Sequence, residues 1–259
     1  MDAGTAERIH VHWDELADFD AGRIDDALDH LLGFLCELVD AQNATWVGAV
    51  RLADILPGDP VHGWRPRTIR FLQPSRPLED NTREQAKNLE QGSVDETTIR
   101  NVALAGAFRA NRLCDLVPPA WFDSDYYRVH YCGVGHADAI WVGFPVNEDG
   151  EAYFGIFRDS AHPRFSEAER DAVAYALRGL KWFHRQQLLG HGLLVASSPL
   201  TPSERTVLQG LLTGQSEKQI AAGLQKSFHT THDCVTSIFR KFNVNNRPAL
   251  MALWLGSAT

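Results

Sequence analysis

Five polar residues near the carboxyl end recur at the spacing of one face of an α-helix. They are His229, His232, Asp233, Thr236 and Arg240, within the run 228–242. Residues three and four positions apart lie on the same side of a helix, so these side chains would form one stripe. Imidazole, carboxylate, hydroxyl and guanidinium groups bond to base edges or to phosphates. The spacing therefore predicts a polar helix face suited to a DNA groove.

The opposite side of the same helix is apolar. Val235, Ile238, Phe239 and Phe242 follow the positions i, i+3, i+4 and i+7. This period is typical of a helix that packs on a core along one side. We therefore expect a helix over 228–242 whose polar stripe faces away from the core.

Two shorter helices precede this one. Thr201 and Glu204 have the spacing of a capping box, in which each side chain bonds the backbone N–H of the other residue. Gly214 is suited to end that helix, and Ser216 and Ser227 are suited to begin the next two. Two short helices joined by a tight turn are the signature of a helix-turn-helix.

A fourth helix is predicted to begin at Pro248, and it is apolar on more than one side. One side can close a small core with the other three helices. The surplus apolar surface predicts contact with a second copy of the chain. The residues predicted to make this dimer contact are Leu250, Met251, Leu253 and Trp254.

The last sixty residues resemble the DNA-binding domain of LuxR-type transcription regulators. The resemblance is carried by Leu200-Thr201-Pro202-x-Glu204-Arg205-x-Val207-Leu208, by Gly214-x-Ser216-x-Lys218-x-Ile220-Ala221, and by Ser227-x-His229-Thr230 with Val235 and Arg240-Lys241-Phe242. It implies a four-helix domain over 200–259, in which the third helix enters the major groove and the fourth helix dimerises.

The resemblance and the polar stripe together predict two sets of contacts with double-stranded DNA. The residues expected to contact bases are His229, His232, Asp233 and Thr236. The residues expected to contact phosphates are Lys218, Lys226, Ser227, Thr230, Arg240 and Lys241. In a homodimer, two such helices would lie about one turn of DNA apart, roughly 34 Å.

Four positions depart from the usual pattern of the family. The family often has lysine where His232 stands, proline where Phe228 stands and glycine where Asn243 stands, and Asp233 adds an acid. An acid that faces phosphates lowers the affinity for DNA unless it accepts a hydrogen bond from a cytosine amino group. Two alternatives stay open: a variant DNA-reading helix, or a protein-interaction module that has lost DNA binding.

The charge of the chain is unevenly distributed. The whole sequence has a net charge of −8. From Leu200 onward, six basic residues stand against three acidic ones, a net charge of +3, so the preceding residues carry −11. A mildly basic tail on an acidic body fits a DNA-reading module joined to a regulatory domain.

The spacing of histidines and cysteines indicates neither a metal site nor an active site. His10 and His12, and likewise His130 and His136, have no third group at a recognised spacing. The four cysteines stand apart and no signal peptide is visible, which predicts reduced thiols in a cytoplasmic protein. No apolar run approaches the ~20 residues needed to span a bilayer. We therefore predict no enzymatic activity, cofactor, metal or membrane contact.

The first 190 residues have the pattern of an α+β domain. After an irregular segment over 1–22, helices are predicted over 23–39, 79–90, 94–110 and 166–189, and strands over 45–51, 67–72, 139–146 and 152–157. This order predicts a central antiparallel sheet flanked by helices. It lacks the regular alternation of strand and helix that a phosphoryl-receiver domain requires.

The second half of this domain resembles a GAF or PAS-like sensor domain. The resemblance is carried by Phe144-Pro145-Val146, by Gly155-Ile156-Phe157 after the Asp149-Gly150 turn, and by Phe165-Ser166-x-Ala168-Glu169. The autoinducer-binding domains of quorum-sensing LuxR proteins share this general layout. The predicted organisation is a sensor domain over 1–190, a linker over 191–199 and a DNA-binding domain over 200–259.

A set of aromatic residues is the candidate for binding a small molecule between the sheet and the helices. Large apolar sites are lined by such side chains together with a few polar anchors. The alternative is that the aromatics simply fill the core, since they dominate burial in many domains. The candidates are Trp46, Phe71, Trp121, Tyr126, Tyr127, Tyr131 and Trp141.

Overall fold

The computed structural model describes residues 1–53, 57–196 and 198–256. The chain divides into two compact units: the first consists of Met1–Asp14 and Asp29–Lys181, and the second of Glu15–Leu28 and Trp182–Thr259. Residue 197 of the predicted linker and residues 257–259 of the predicted DNA-binding domain lie outside the described residues. The domain limits drawn from the sequence stay a prediction.

Within the described residues, the chain forms helices and five strands. The helices are α1 (Ala3–Ala17), α2 (Ile24–Val39), α3 (Arg76–Glu90), α4 (Glu96–Ala103), α5 (Leu113–Leu116), α6 (Glu167–Arg178), α7 (Lys181–Gly190), α8 (Pro202–Leu212), α9 (Glu217–Gly223), α10 (Phe228–Lys241) and α11 (Arg247–Trp254). The strands are β1 (Asn43–Arg51), β2 (Trp64–Phe71), β3 (Arg109–Arg112), β4 (Asp138–Pro145) and β5 (Gly150–Arg158). Single turns of 3-10 or π helix lie at Ala21–Arg23, Pro119–Asp123, Tyr127–Tyr131 and Cys132–Val134.

The first unit is built on one antiparallel sheet with the strand order β2-β1-β5-β4-β3. Thr45 of β1 pairs with Gly155 of β5, which pairs in turn with Trp141 of β4. Successive side chains on a strand point to opposite faces, so these three positions share one face. The α+β class with a central antiparallel sheet flanked by helices is thus confirmed.

The other face of the sheet is buried at the centre of its three middle strands. The large apolar residues there have no exposed surface: Trp46, Ile140, Val142, Phe154 and Ile156. One face therefore supplies the core, and the other face is left to form the cavity described below.

The irregular segment predicted for residues 1–22 is wrong for most of its length, because α1 occupies Ala3–Ala17. The helix buries Ile9 and Leu16 completely. His12 interrupts the apolar stripe in the sequence, yet its ring is buried and stacks on Phe34 with the ring centroids 4.0 Å apart. A histidine that packs as an aromatic ring conceals the helical period from a reading based on hydrophobicity.

The helix predicted over 94–110 is also wrong beyond Ala103, because α4 ends there and β3 follows. Gly106 has a φ of +91°, a backbone conformation that is incompatible with a right-handed α-helix. Its N–H donates to the buried Glu151 carboxylate at 2.7 Å. Arg109 of β3 reaches the same carboxylate at 2.7 Å. A contact between distant residues therefore ends the helix, and the local sequence does not show it.

The single long helix predicted over 166–189 is two helices, α6 and α7. The break falls at Gly179, where the Trp13 indole lies so close that a Cβ atom would meet its ring carbons at 2.8 Å. The same indole N–H donates to the carbonyl of Ala176 at 2.8 Å. Packing of Trp13 on the helix end accounts for the interruption.

The second unit contains the predicted four-helix arrangement, α8 to α11. Thr201 and Glu204 form the capping box, with the Thr201 N–H donating to Glu204 at 2.7 Å and the Glu204 N–H donating to Thr201 at 3.2 Å. Ser216 and Ser227 are the N-caps of α9 and α10. The buried apolar side chains that join these helices include Val207, Leu208, Leu211, Ile220, Val235, Ile238, Phe242 and Leu253.

Candidate functional site

The polar stripe of α10 is exposed. Val235 and Ile238 are buried, 3% and 0% exposed, so they turn the opposite side of the helix outward. All five residues of the stripe belong to the exposed class: His229, His232, Asp233, Thr236 and Arg240. The structure thus presents the predicted base-contacting side chains on one accessible helix face.

Two contacts on this face involve histidines. His232 Nδ1 lies 2.9 Å from a carboxylate oxygen of Glu217, at the start of α9. His229 Nε2 lies 3.8 Å from Asp233, with the two side chains 87% and 65% exposed. Exposed pairs of this kind contribute little to stability, so neither contact fixes the fold.

Most of the predicted phosphate-contacting residues lie around the stripe. Lys218, Lys226, Ser227, Thr230 and Arg240 are exposed. Ser227 also has a structural role, because its hydroxyl accepts a hydrogen bond from the Thr230 N–H at 3.0 Å as the N-cap of α10. The Lys226 ammonium donates to the hydroxyl of Ser203 at 2.5 Å and stays in the exposed class.

Lys241 differs from the other candidates. Its ammonium donates to Glu204 at 2.7 Å and to the carbonyl of Pro199 at 2.8 Å, and its side chain is 15% exposed. The Lys241 ammonium therefore forms hydrogen bonds within the second unit, and a contact with a DNA phosphate would have to replace them. The sequence predicts a capping role for Glu204 and a phosphate contact for Lys241. Neither the capping-box spacing nor the helical period reveals that the two side chains meet between α8 and α10.

Glu204 is the centre of this buried network. Its carboxylate accepts from the Thr201 N–H, from Lys241 and from the Ser237 hydroxyl, each at 2.7 Å. Burial alone would raise the pKa of Glu204, but these hydrogen bonds lower it to about 2. The carboxylate is thus charged at neutral pH, and it joins the start of α8 to the end of α10.

Three of the four predicted dimer residues are buried in the protein's own unit. Leu250, Leu253 and Trp254 are 0%, 1% and 6% exposed, and Met251 is half-buried. Leu255, directly after α11, is 83% exposed. A side chain packed in its own core offers little surface to a partner, so a dimer contact here would have to use Met251 and Leu255.

The second unit also includes a stretch from the amino end of the chain, which the sequence did not predict. Asp25 accepts from Arg205 of α8 at 2.5 Å, with side chains 26% and 22% exposed. Gly22 lies so close to α8 that a Cβ atom would be 2.8 Å from the carbonyl oxygen of Gln209. The first of the four helices is thus supported by residues far away in sequence.

A cavity of 380 Å³ lies in the first unit, on the face of the sheet that carries Thr45, Trp141 and Gly155. Its other walls come from α3, α4 and residues 126–136. Apolar, aromatic and amide side chains are mixed in the wall, among them Val47, Trp64, Phe71, Asn81, Gln85, Leu89, Asn101, Tyr126, Tyr131 and Trp141. This size and composition suit a small amphiphilic molecule.

Four of the seven predicted ligand residues line the cavity: Phe71, Tyr126, Tyr131 and Trp141. Trp46 lies on the opposite face of the sheet. Trp121 and Tyr127 are not among the described residues that line the cavity. Both rings pack against Tyr131, which does line it. Trp121 packs on Tyr131 with ring centroids 5.5 Å apart, and its indole N–H donates to Asp95 of the cavity wall at 3.0 Å.

Tyr131 and His136 of the cavity wall are uncharged at neutral pH. Burial raises the pKa of the Tyr131 phenol to about 12. Burial lowers the pKa of the His136 imidazole to about 4, and this ring stacks on Phe157 with centroids 4.0 Å apart. The Tyr126 hydroxyl donates to Gln85 at 3.1 Å. These groups offer hydrogen bonds and ring faces rather than charge.

The charged groups in the cavity wall already have partners. Arg65 donates to Asp59 at 3.0 Å, with side chains 7% and 4% exposed. Asp95 accepts from the N–H and the hydroxyl of Thr97 at 2.8 and 2.6 Å and from Trp121. A ligand here would meet a guanidinium that is paired with a carboxylate, and a carboxylate whose oxygens already accept hydrogen bonds.

The histidines that lie close together in the sequence contact different partners in the structure. His10 Nε2 hydrogen-bonds the hydroxyl of Tyr175 at 2.8 Å, whereas His12 stacks on Phe34. His130 and His136 both line the cavity, but His130 bonds Asn81 at 2.5 Å. The four cysteines, all within the described residues, are free thiols.

Comparison with known proteins shows that the carboxyl-terminal segment of the chain matches one family. Residues 198–254 match the family of bacterial regulatory proteins described as the luxR family, which confirms the predicted resemblance. No curated protein matches the chain in sequence. Among the described residues, none of the helices combines the length and the apolar character that crossing a membrane requires.

Three solved structures are similar to this protein over most of the chain. "SdiA in complex with octanoyl-rac-glycerol" is 12% identical with a TM-score of 0.48, covering 99% of this chain and 96% of that one. The VqsR LBD domain from Pseudomonas aeruginosa is 14% identical with a TM-score of 0.46, covering 73% and 98%. Escherichia coli SdiA is 13% identical with a TM-score of 0.43, covering 96% and 95%.

Proposed function

We propose that this chain is a transcription regulator that binds DNA sequence-specifically through α10 and responds to a small molecule held in the cavity of the first unit. The observation that carries the proposal is the exposed polar face of α10, within a segment that matches the luxR family. Side chains such as Thr236 and Arg240 are exposed and do not belong to the buried core. They are therefore available to a partner outside the protein.

The two kinds of contact expected on DNA have different consequences. Thr236, at the middle of the exposed face, would bond a base edge and so affect one position of the operator. Arg240, near the end of α10, would hold a phosphate, which is the same in every sequence. Because Lys218, Lys226 and Arg240 would displace counterions from DNA, binding should fall steeply as salt rises.

The test is a gel-shift assay with duplexes selected from a random library, at low and high salt. The wild-type protein should select one motif, and its binding should weaken steeply with salt. Arg240→Ala should weaken binding to all sequences alike and reduce the salt slope by about 1. Thr236→Ala should change the preference at one base position. If no sequence is preferred at any salt, the chain is instead a protein-interaction module.

For the cavity, we propose an uncharged ligand with an apolar part and a hydrogen-bonding end. Asp59 already balances the charge of the Arg65 guanidinium, and the Asp95 carboxylate accepts three hydrogen bonds. An anionic ligand would lose its hydration without gaining a counter-charge, which is costly. Tyr131 and Trp141 offer a hydroxyl and ring faces to a neutral head group.

Ligand charge can be tested with two probes of equal chain length. Decanamide is neutral and decanoate is anionic, so thermal unfolding of the full chain with each isolates the effect of charge. Decanamide should raise the unfolding temperature, and Trp141→Ala should abolish the shift. Stabilisation by decanoate alone would contradict the assignment. Mass spectrometry of the purified protein would identify a natural occupant directly.

We also propose a cytoplasmic homodimer that performs no enzymatic step. The dimer would join through Leu255, which lies directly after α11 and is 83% exposed, together with the half-buried Met251. Leu255→Glu should then shift the sedimentation coefficient to that of a monomer and weaken binding to a two-fold operator. An unchanged sedimentation coefficient would place the dimer contact elsewhere.

A further inference from the structure

The contact between His232 and Glu217 joins the two helices of the helix-turn-helix at the surface that would face DNA. His232 lies on the exposed stripe of α10, and Glu217 begins α9. The distance from Nδ1 to the carboxylate oxygen is 2.9 Å, and the side chains are 55% and 30% exposed. The ring of Phe228 lies nearly parallel to the imidazole, at 17°, with centroids 6.1 Å apart. The imidazole thus has neighbours on one edge and one face.

This contact determines which ring nitrogen of His232 carries the hydrogen. An ionised carboxylate can only accept a hydrogen bond, so Nδ1 must be the donor. In the neutral imidazole the other nitrogen, Nε2, then carries no hydrogen and can only accept. More than half of the side chain is exposed, so Nε2 can be reached by a partner outside the protein.

In the major groove, an acceptor of this kind distinguishes between bases. Adenine and cytosine present an amino group there, whereas guanine and thymine present carbonyl oxygens at the corresponding positions. A neutral His232 held by Glu217 can therefore bond adenine N6 or cytosine N4. The opposite tautomer would donate from Nε2 and would favour guanine or thymine.

We propose that Glu217 is a positioning residue for base recognition: it fixes the tautomer of His232, so that α10 prefers adenine or cytosine at the position on one strand that His232 contacts. The inference rests on the proposed DNA-binding function. Glu217 itself need not touch DNA. Its effect on specificity should pass entirely through His232.

The experiment is selection from a random duplex library at about pH 8.5, above the range in which histidines change charge. The variants are Glu217→Gln, His232→Ala and the double variant, with Asp18→Asn as the control for loss of one negative charge. Glutamine keeps the size of the side chain but can both donate and accept, so it permits either tautomer. Thermal unfolding of each variant checks that the unit remains folded.

The wild type should prefer adenine or cytosine at one position by about threefold to tenfold, the range of a single hydrogen bond. Glu217→Gln should reduce that preference to less than about twofold at the same position, while binding is retained. Asp18→Asn should leave every preference unchanged. In the His232→Ala background, Glu217→Gln should have no further effect on base preference.

Two different failures can be told apart. If the wild type selects a motif but Glu217→Gln or His232→Ala changes no base preference, the positioning role is wrong and the proposed function stands. A preference for guanine or thymine at the His232 position would also overturn the role. If the wild type selects no motif, both the function and this inference are overturned.

Discussion

The exposed face of α10 and the wall of the cavity use polar side chains in opposite ways. On α10, His229 and Asp233 are 3.8 Å apart and largely exposed. Arg65 of the cavity wall lies 3.0 Å from Asp59, and both side chains are almost completely buried. Exposed, weakly paired groups remain available to an external partner, whereas separating a buried pair leaves an unpaired charge in the interior. Under the proposed function, the first region would recognise charge and base edges, and the second would recognise shape and uncharged polar groups.

Two adjacent residues of α10 show the same contrast between an exposed and a paired charge. Arg240 is exposed, and Lys241 is bound to Glu204 with its side chain 15% exposed. Both are cations near the end of one helix, and both look like phosphate ligands in the sequence. The difference arises from the position of α8, which brings a carboxylate to one of them. Function and stability can therefore be changed separately.

The largest expected effect is the loss of the Glu204 carboxylate. Glu204→Ala leaves Lys241 without its counter-charge and removes the side-chain half of the capping box of α8, so the free energy of unfolding should fall by about 3–5 kcal/mol. Chemical denaturation of the full chain measures this change. The control is Glu148→Ala, in the exposed turn between β4 and β5, which should change stability by less than about 0.5 kcal/mol. Equal effects of the two substitutions would contradict the structural role of Glu204.

His136 and Glu204, one in each unit, should make the stability of the chain depend on pH over different ranges. His136 is buried neutral, with its pKa lowered from 6.5 to about 4, so its stabilisation is complete above pH 6.5 and lost as pH falls to about 4. The Glu204 pKa is lowered from 4.5 to about 2, so its stabilisation is complete above pH 4.5 and lost as pH falls to about 2. Each shift corresponds to roughly 3 kcal/mol.

Unfolding curves between pH 7 and pH 2 for His136→Gln and Glu204→Gln would check this order. His136→Gln should flatten the pH dependence between about pH 6.5 and 4, and Glu204→Gln should flatten it between about pH 4.5 and 2. If either substitution leaves its own range as steep as in the wild type, that group is not the source of the pH dependence.

A smaller effect is expected from filling the floor of the cavity. A Cβ atom on Gly155 would meet Phe157 at 2.7 Å and Trp141 at 2.9 Å. Gly155→Ala should therefore displace the Trp141 ring and destabilise the first unit by about 1–3 kcal/mol. It should also weaken binding of decanamide. Gly33→Ala, in the middle of α2 with no atom within 4 Å of the new methyl group, should instead stabilise the chain by about 0.5–1 kcal/mol.

The sequence predicted the second unit better than the first because its signals are local. The capping box at Thr201 and the period of Val235 and Ile238 lie within one helix each, and both are confirmed. The cavity wall depends instead on pairing between distant strands. Trp46 and Trp141 look alike in the sequence, but the sheet register places them on opposite faces. Likewise, the end of α4 depends on Glu151, which lies far along the chain.

The smallest expected effect on stability lies on the exposed face of α10. His229 and Asp233 are too far apart and too exposed for a strong ion pair, so His229→Ala should change the free energy of unfolding by less than about 0.5 kcal/mol. The same substitution should reduce the affinity for a selected operator, because the ring is available to a base edge. Denaturation and gel shifts on one preparation measure both quantities. A clear loss of stability with unchanged DNA binding would mean that this face serves the fold, and the contrast between the two regions would fail at His229.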